Sequence, residues 1–366
     1  MVLANTLSHY LNFFVLLSAA TSSSVLAFLV QNRASYNVAA KPLWSSESVD
    51  ETEHVSVIGV VAPLISVGPY ACLGLNFPNI KRKPGVEIKF VLDTAANVNT
   101  ISSEIANELD LPVVFKGKDL SILGSAGAGG SFQAGDFVLL GDSRLSGMPE
   151  NQRSNIFMTN MTAAAMNLGI ASSVGGGMLG TSFFKCFRGG VEFDWYGTDG
   201  DPPTLIFYFD SLPDNAKENA SCIPINTEEF FGLPTVSVKI NGKELRAIID
   251  TGAPITIVSP TVATEVGISK KEGTIKIKGI DDGDAMGLSK SMNGVSLSIG
   301  DIKLKLDTIF IGELPGLAMA SNLLPECNQP QVLLGLDALR RTFRMILRLS
   351  EAELWLEGLP KQNLHT

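Results

Sequence analysis

Two aspartates each end an apolar run and are each followed by threonine: Val91-Leu92-Asp93-Thr94-Ala95 and Ile248-Ile249-Asp250-Thr251-Gly252. Carboxylates brought within about 3 Å of each other cannot both ionise easily, so such a pair shares one proton. The ionised member can take a proton from water while the protonated member polarises a carbonyl, which supplies general base and general acid without a metal. Which carboxyl holds the proton is a property of the pair and is not fixed by sequence.

Other chemistries fit the chain poorly. Its three histidines are His9, His54 and His365, near the start, in a polar stretch and at the end, so an imidazole-driven nucleophile in the core is not expected. The cysteines Cys72, Cys186, Cys222 and Cys327 never approach the C-x-x-C spacing of zinc or redox sites, and zero, one or two disulfides remain open. No metal and no cofactor are expected. A formal net charge of −9 and the lack of any basic run longer than Lys81-Arg82-Lys83 argue against nucleic acid.

The elements that must position the two aspartates repeat. Gly85-Val-Glu-Ile-Lys-Phe-Val-Leu-Asp93 aligns without a gap on Gly242-Lys-Glu-Leu-Arg-Ala-Ile-Ile-Asp250, each reading as a strand that runs into a turn. Ser102 and Ser259 both lie nine residues on (102 − 93 and 259 − 250), each placed to cap a short helix. Gly124-Ser-Ala-Gly127-Ala-Gly-Gly130 and Gly279-Ile-Asp-Asp-Gly283 begin 31 and 29 residues after their Asp (124 − 93 and 279 − 250) and read as hairpin tips. Met178-Leu179-Gly180 and Leu333-Leu334-Gly335 set their glycines 87 and 85 residues beyond it (180 − 93 and 335 − 250). Strands are expected to begin at Phe187-Arg188 and Phe343-Arg344. Landmarks in one order at nearly fixed spacing read as a tandem duplication.

Ile248-Ile249-Asp250-Thr251-Gly252-Ala253 together with Leu333-Leu334-Gly335 resembles the retropepsin-like aspartic proteases, and the resemblance extends over both halves, most specifically the second. It implies an all-β fold of two similar β-barrel lobes with short helices and an active site at their junction. It further implies that Asp93 and Asp250 form the catalytic pair, that Thr94 and Thr251 brace the two loops, and that the tips at Gly124, Gly127, Gly130, Gly279 and Gly283 act as flaps over an extended polypeptide substrate. Both aspartates in one chain imply a monomer with pseudo-two-fold lobes. The first loop departs from the pattern, with Ala95 where the family has glycine, and a methyl there is expected to crowd Asp93. Two further readings use the same residues: a catalytically silent pair of lobes that binds peptides or scaffolds a partner, and a homodimer using Asp250 alone.

From Tyr10 to Val30 the chain is apolar or small and uncharged, which reads as a signal peptide over residues 1–27, with a retained membrane anchor as the alternative. Ser24-Val25-Leu26-Ala27-Phe28 resembles the cleavage motif of bipartite plastid-targeting leaders of diatoms and related algae, and the acid-free stretch to about residue 45 suits a transit segment. Entry into the secretory pathway is expected, with a plastid, the ER or vacuolar lumen, or secretion as destinations. Membrane association is expected only if the apolar segment is kept. Residues 46–55 read as a linker, 56–210 as lobe one, 211–220 as a second linker, 221–358 as lobe two and 359–366 as a tail. The 35 Gly and 18 Pro in 366 residues suit strands and turns.

Overall fold

The structure, a computed structural model, describes residues 59–117, 124–126, 132–148, 156–168, 174–197, 201–230, 232–277, 286–313 and 329–359. Residues 1–58, where a leader and a linker are expected, and residues 360–366 lie outside these.

The chain is mostly β, arranged around three large sheets. The aspartate-bearing strands Val86–Leu92 and Lys243–Ile249 explain their own placement. In each, buried and exposed positions alternate at first and the final three residues are all buried, so the strand enters the sheet with one wet face and ends inside it. Val86–Leu92 lies in an eight-stranded sheet and Lys243–Ile249 in a nine-stranded one.

Each aspartate strand runs parallel to its apolar-apolar-Gly strand. Val91 pairs with Met178 and Leu92 with Leu179, while Ile248 pairs with Leu333 and Ile249 with Leu334. The near-constant spacing in sequence is thus the length of chain needed to return to this register. Gly180 and Gly335 close the arrangement. A Cβ on Gly180 would lie 2.6 Å from the carbonyl oxygen of Ala96, and one on Gly335 would lie 2.4 Å from that of Ile255, so the loop behind each aspartate can pass only over a residue without a side chain.

A six-stranded antiparallel sheet joins the halves, in the order Val60–Pro63, Thr204–Tyr208, Gly190–Asp194, Thr342–Arg348, Glu353–Gly358, Ser221–Pro224. The central seam pairs Val191 with Leu347 and Phe193 with Met345. Fully buried Phe183, Phe184, Phe187, Phe193 and Phe207 pack nearby, with ring centroids of Phe187 and Phe207 4.8 Å apart. At roughly 25 cal/mol per Å² and about 150–250 Å² per ring, this cluster is a main source of cohesion. On this sheet Glu192 is buried with a hydrogen bond from the Tyr208 hydroxyl at 2.8 Å and an ion pair to Arg344, which keeps its charge partnered.

Three expectations change. Ser259 caps the helix Pro260–Glu265 by accepting from the Val262 amide at 3.2 Å, but Ser102, before the helix Ser103–Glu108, makes no side-chain cap. Its residue ends a strand and is itself buried, so the sheet takes precedence over the cap. Phe187-Arg188 does not begin a strand. A turn in which the Gly190 amide donates to the Phe187 carbonyl comes first, and the strand starts at Gly190. The stretch 211–220 holds a short helix, Asp214–Lys217, rather than only a linker.

Candidate active site

The parallel register carries both aspartates to the same place. The Asp93 amide donates to the Leu179 carbonyl and the Asp250 amide to the Leu334 carbonyl, both at 3.0 Å, so each carboxyl starts from the last rung of its ladder. Thr94 and Thr251 then tie the loops together reciprocally. The Thr94 hydroxyl donates to the Ile249 carbonyl at 2.6 Å and accepts from the Thr251 amide at 3.0 Å. The Thr251 hydroxyl donates to the Leu92 carbonyl at 2.7 Å and accepts from the Thr94 amide at 3.1 Å. Both threonines are fully buried, so these four bonds work at low dielectric and set one loop against the other.

Thr94→Val keeps the shape and removes two of the four bonds. It should destabilise the protein by about 2–4 kcal/mol, since the buried Ile249 carbonyl and Thr251 amide lose their partner. Urea unfolding of the variant beside the wild type measures this, and an unshifted midpoint would mean that the brace is not under load.

The two carboxyls act on each other's ionisation across the junction. Asp93 and Asp250 are 6% and 8% exposed, enough to be reached from a cleft but not enough to be hydrated as free ions. Asp93 Oδ1 accepts from the Ala95 amide at 2.9 Å. Asp250 Oδ1 accepts from Gly252 at 2.8 Å and Ala253 at 2.9 Å. Burial outweighs these bonds and raises both carboxyls, Asp93 to about 6. Asp250 is held well above its ordinary range by burial and then by the charge of Asp93. A pair raised by desolvation and by its own repulsion is a pair that shares a proton.

The crowding constraint crosses the junction: a Cβ on Gly252 would lie 2.4 Å from Asp93 Cγ and 2.7 Å from both of its carboxyl oxygens. The second residue after Asp250 therefore faces the opposite lobe's aspartate.

Of the remaining candidates, Gly124 begins the strand Gly124–Ala126, which pairs with Phe132–Ala134, so it stands at the base of a hairpin rather than at its tip. Gly127, Gly130, Gly279 and Gly283 lie outside the described residues, between those strands and between Ile275–Ile277 and Met286–Lys290.

A second layer was missed in the sequence. Asn99 Oδ1 accepts from the Gly180 amide at 3.1 Å and the Ser182 hydroxyl at 3.3 Å. In the other lobe the Thr256 hydroxyl donates to Asp337 at 2.6 Å and accepts from the Gly335 amide at 3.1 Å. Asn99 and Thr256 each lie six residues after their aspartate (99 − 93 and 256 − 250), and Ser182 and Asp337 two after their glycine (182 − 180 and 337 − 335). Carrying the repeat register through these positions would have found all four, although their side chains differ. Among the described residues no group of three or more His, Cys, Asp or Glu converges on a metal-sized site.

Two β lobes that meet at paired, threonine-braced aspartate loops define the class of the aspartic-protease fold. Residues 236–338 match the family model described as aspartyl protease. Over that stretch, which lies in the second lobe, the chain is similar to the aspartyl proteases.

Among solved structures it is similar to conglutin gamma, the basic 7S globulin of lupine seeds, at 11% identity and TM-score 0.48, covering 82% of this chain and 95% of that one. It is also similar to the aspartic proteinase of Irpex lacteus at 10% identity and TM-score 0.42, covering 82% and 97%. A retropepsin-like aspartic protease of Rickettsia conorii matches at 17% identity and TM-score 0.26, covering 38% of this chain and 90% of that one. No curated protein sequence matches the chain.

Proposed function

We propose that the protein is a single-chain aspartic endopeptidase in which Asp93 and Asp250 share one proton and activate a water against the peptide bond of an extended polypeptide. The observation that carries this reading is the pair of buried carboxyls whose loops are held face to face by reciprocally bonded threonines. The ionised carboxylate takes a proton from the water as its oxygen attacks the carbonyl carbon, and the protonated carboxyl donates toward the carbonyl oxygen. Collapse of the tetrahedral intermediate returns a proton to the leaving amine and restores the singly protonated pair. One chain supplies both aspartates, so the reading needs no second copy.

Such a pair works only when singly protonated, and activity should follow a bell in pH whose limbs belong to the dyad as a whole. Because burial raises both carboxyls, with Asp93 at about 6, the window is displaced upward from strong acid. Cleavage of a diverse peptide library by purified protein should rise through about pH 6 as Asp93 ionises, fall at higher pH as Asp250 follows, resist chelators and serine-directed reagents, and yield to a transition-state mimic carrying a hydroxyl in place of the scissile carbonyl. Abolition by a chelator, or silence at every pH between mild acid and neutrality, would count against it. A second reading, a non-catalytic pair of lobes that binds extended peptides, is favoured by one observation, the methyl of Ala95 at a junction where the other loop has glycine.

A further inference from the structure

The two strands that lead into the cleft present different side chains at equivalent positions. In lobe one, Tyr70–Phe77 runs antiparallel to Val86–Leu92 with Cys72 opposite Val91. Two more steps along that ladder set Tyr70 opposite Asp93 and on the same face of the sheet, since side chains alternate with period two. The hairpin Ile65–Val67 to Tyr70–Phe77 pairs Val67 with Tyr70 across a two-residue turn, with Gly68 at φ +58°, which fixes Tyr70 at the tip. In lobe two, Thr235 pairs with Ile248 and the Ile249 amide donates to the Pro234 carbonyl at 2.9 Å, which puts Leu233 opposite Asp250.

Both residues are half-buried, as expected of a cleft wall. Tyr70 packs against the buried cluster that contains Cys72, Val91 and Met178. Its phenol is raised by burial and then by the charge of Asp250, so a ring anchored on lobe one lies within electrostatic reach of the carboxyl of lobe two. The Gly-rich segments 124–130 and 279–283 contain no tyrosine, so this hairpin is a source of a phenol at the cleft that neither of them offers.

Resting on the endopeptidase reading, we propose that Tyr70 and Leu233 form unlike walls on the two sides of the scissile bond, which makes Tyr70 a specificity-determining residue. The pseudo-two-fold axis through the dyad relates the two sides of a bound extended peptide, so identical walls would treat the flanking residues alike. A phenol can hydrogen-bond a side-chain acceptor where leucine cannot, and a site built for such a bond discriminates more sharply than one that differs only in apolar bulk. The substrate class is therefore an extended peptide with a hydrogen-bond acceptor, such as the Gln side chain, on the Tyr70 side and an aliphatic residue on the Leu233 side.

The test uses peptides of one composition in which Gln and Leu are exchanged across the scissile bond. The wild type should prefer one order by about tenfold in kcat/KM, Tyr70→Leu should bring the ratio close to one, and Tyr70→Phe, which keeps the ring, should lower it without reaching one. A second measurement does not need cleavage. In protein with labelled tyrosine rings, the signal assigned by its loss in Tyr70→Phe should shift as the dyad titrates, and the shift should vanish in Asp250→Asn. If the chain cleaves nothing, the endopeptidase reading fails on its own, and the same ratio is read from the affinities of hydroxyl-bearing mimics of the two peptides. A ratio unmoved by Tyr70→Leu, mimics bound without preference or not at all, or a Tyr70 signal indifferent to the dyad would each overturn the proposal.

Discussion

Gly252→Ala should lower kcat by at least about a hundredfold. The added methyl would arrive 2.4 Å from Asp93 Cγ and 2.7 Å from both carboxyl oxygens, closer than any unstrained contact. Neither side can yield at low cost. The Asp93 amide is bonded to Leu179 and its Oδ1 to Ala95, while the loop that carries Gly252 is fixed by Thr251. The strain goes into the separation of the two carboxyls, where a displacement of about 1 Å is worth on the order of a hundredfold in rate. Steady-state kinetics with a thermal melt separate loss of geometry from loss of fold. A rate near that of the wild type would mean that the carboxyls tolerate a wider junction than this packing implies. The reciprocal change, Ala95→Gly, removes a methyl that the second loop lacks and should raise turnover several-fold with an unchanged circular dichroism spectrum. An unchanged rate would show that the first loop is already well seated.

The largest effect should come from the aspartates themselves. Asp93→Asn or Asp250→Asn leaves a site that cannot hold base and acid together, and each should cost at least about a thousandfold in kcat, the scale seen when one member of a catalytic group that works as a unit is removed. The same substitution should stabilise the fold at neutral pH. Asp93 sits at about 6 against an ordinary 3.8: its folded value lies above its unfolded one. The carboxyl therefore costs the folded state nothing below the unfolded value, and the penalty grows as pH rises toward 6 and is then complete. Two units correspond to roughly 3 kcal/mol at most. Asn removes the penalty, so Asp93→Asn should melt several degrees above the wild type at pH 7–8 and alongside it near pH 3. A variant that melts lower at both would mean that the hydrogen bonds of the carboxylate outweigh its desolvation.

The parts of the site readable from sequence are those in which local pattern and tertiary role coincide. Val91-Leu92 and Ile248-Ile249 are apolar because the strand ends inside a sheet. Gly180 and Gly335 are glycines because a loop passes directly over them, and repetition of both at nearly equal spacing shows that they belong together. What could not be read rests on contacts between lobes. Nothing local to Gly252 says that it faces the other lobe's aspartate. Nothing local to Tyr70 says that the charge of Asp250 acts on its phenol, because its place follows from the register of a hairpin more than twenty residues upstream of Asp93. Ser102 misled for a related reason: serine before a helix signals a cap, but here sheet pairing had already claimed the residue.

The direct test of a dyad built within one chain is to assay wild type, Asp93→Asn, Asp250→Asn and an equimolar mixture of the two variants against the best library peptide in mildly acidic buffer. If each molecule carries its own pair, the wild type cleaves, both variants are silent, and the mixture is silent too, because no molecule in it holds two aspartates. Activity retained by Asp93→Asn, or activity regained on mixing, would mean that the working site forms between two chains and would contradict the single-chain dyad.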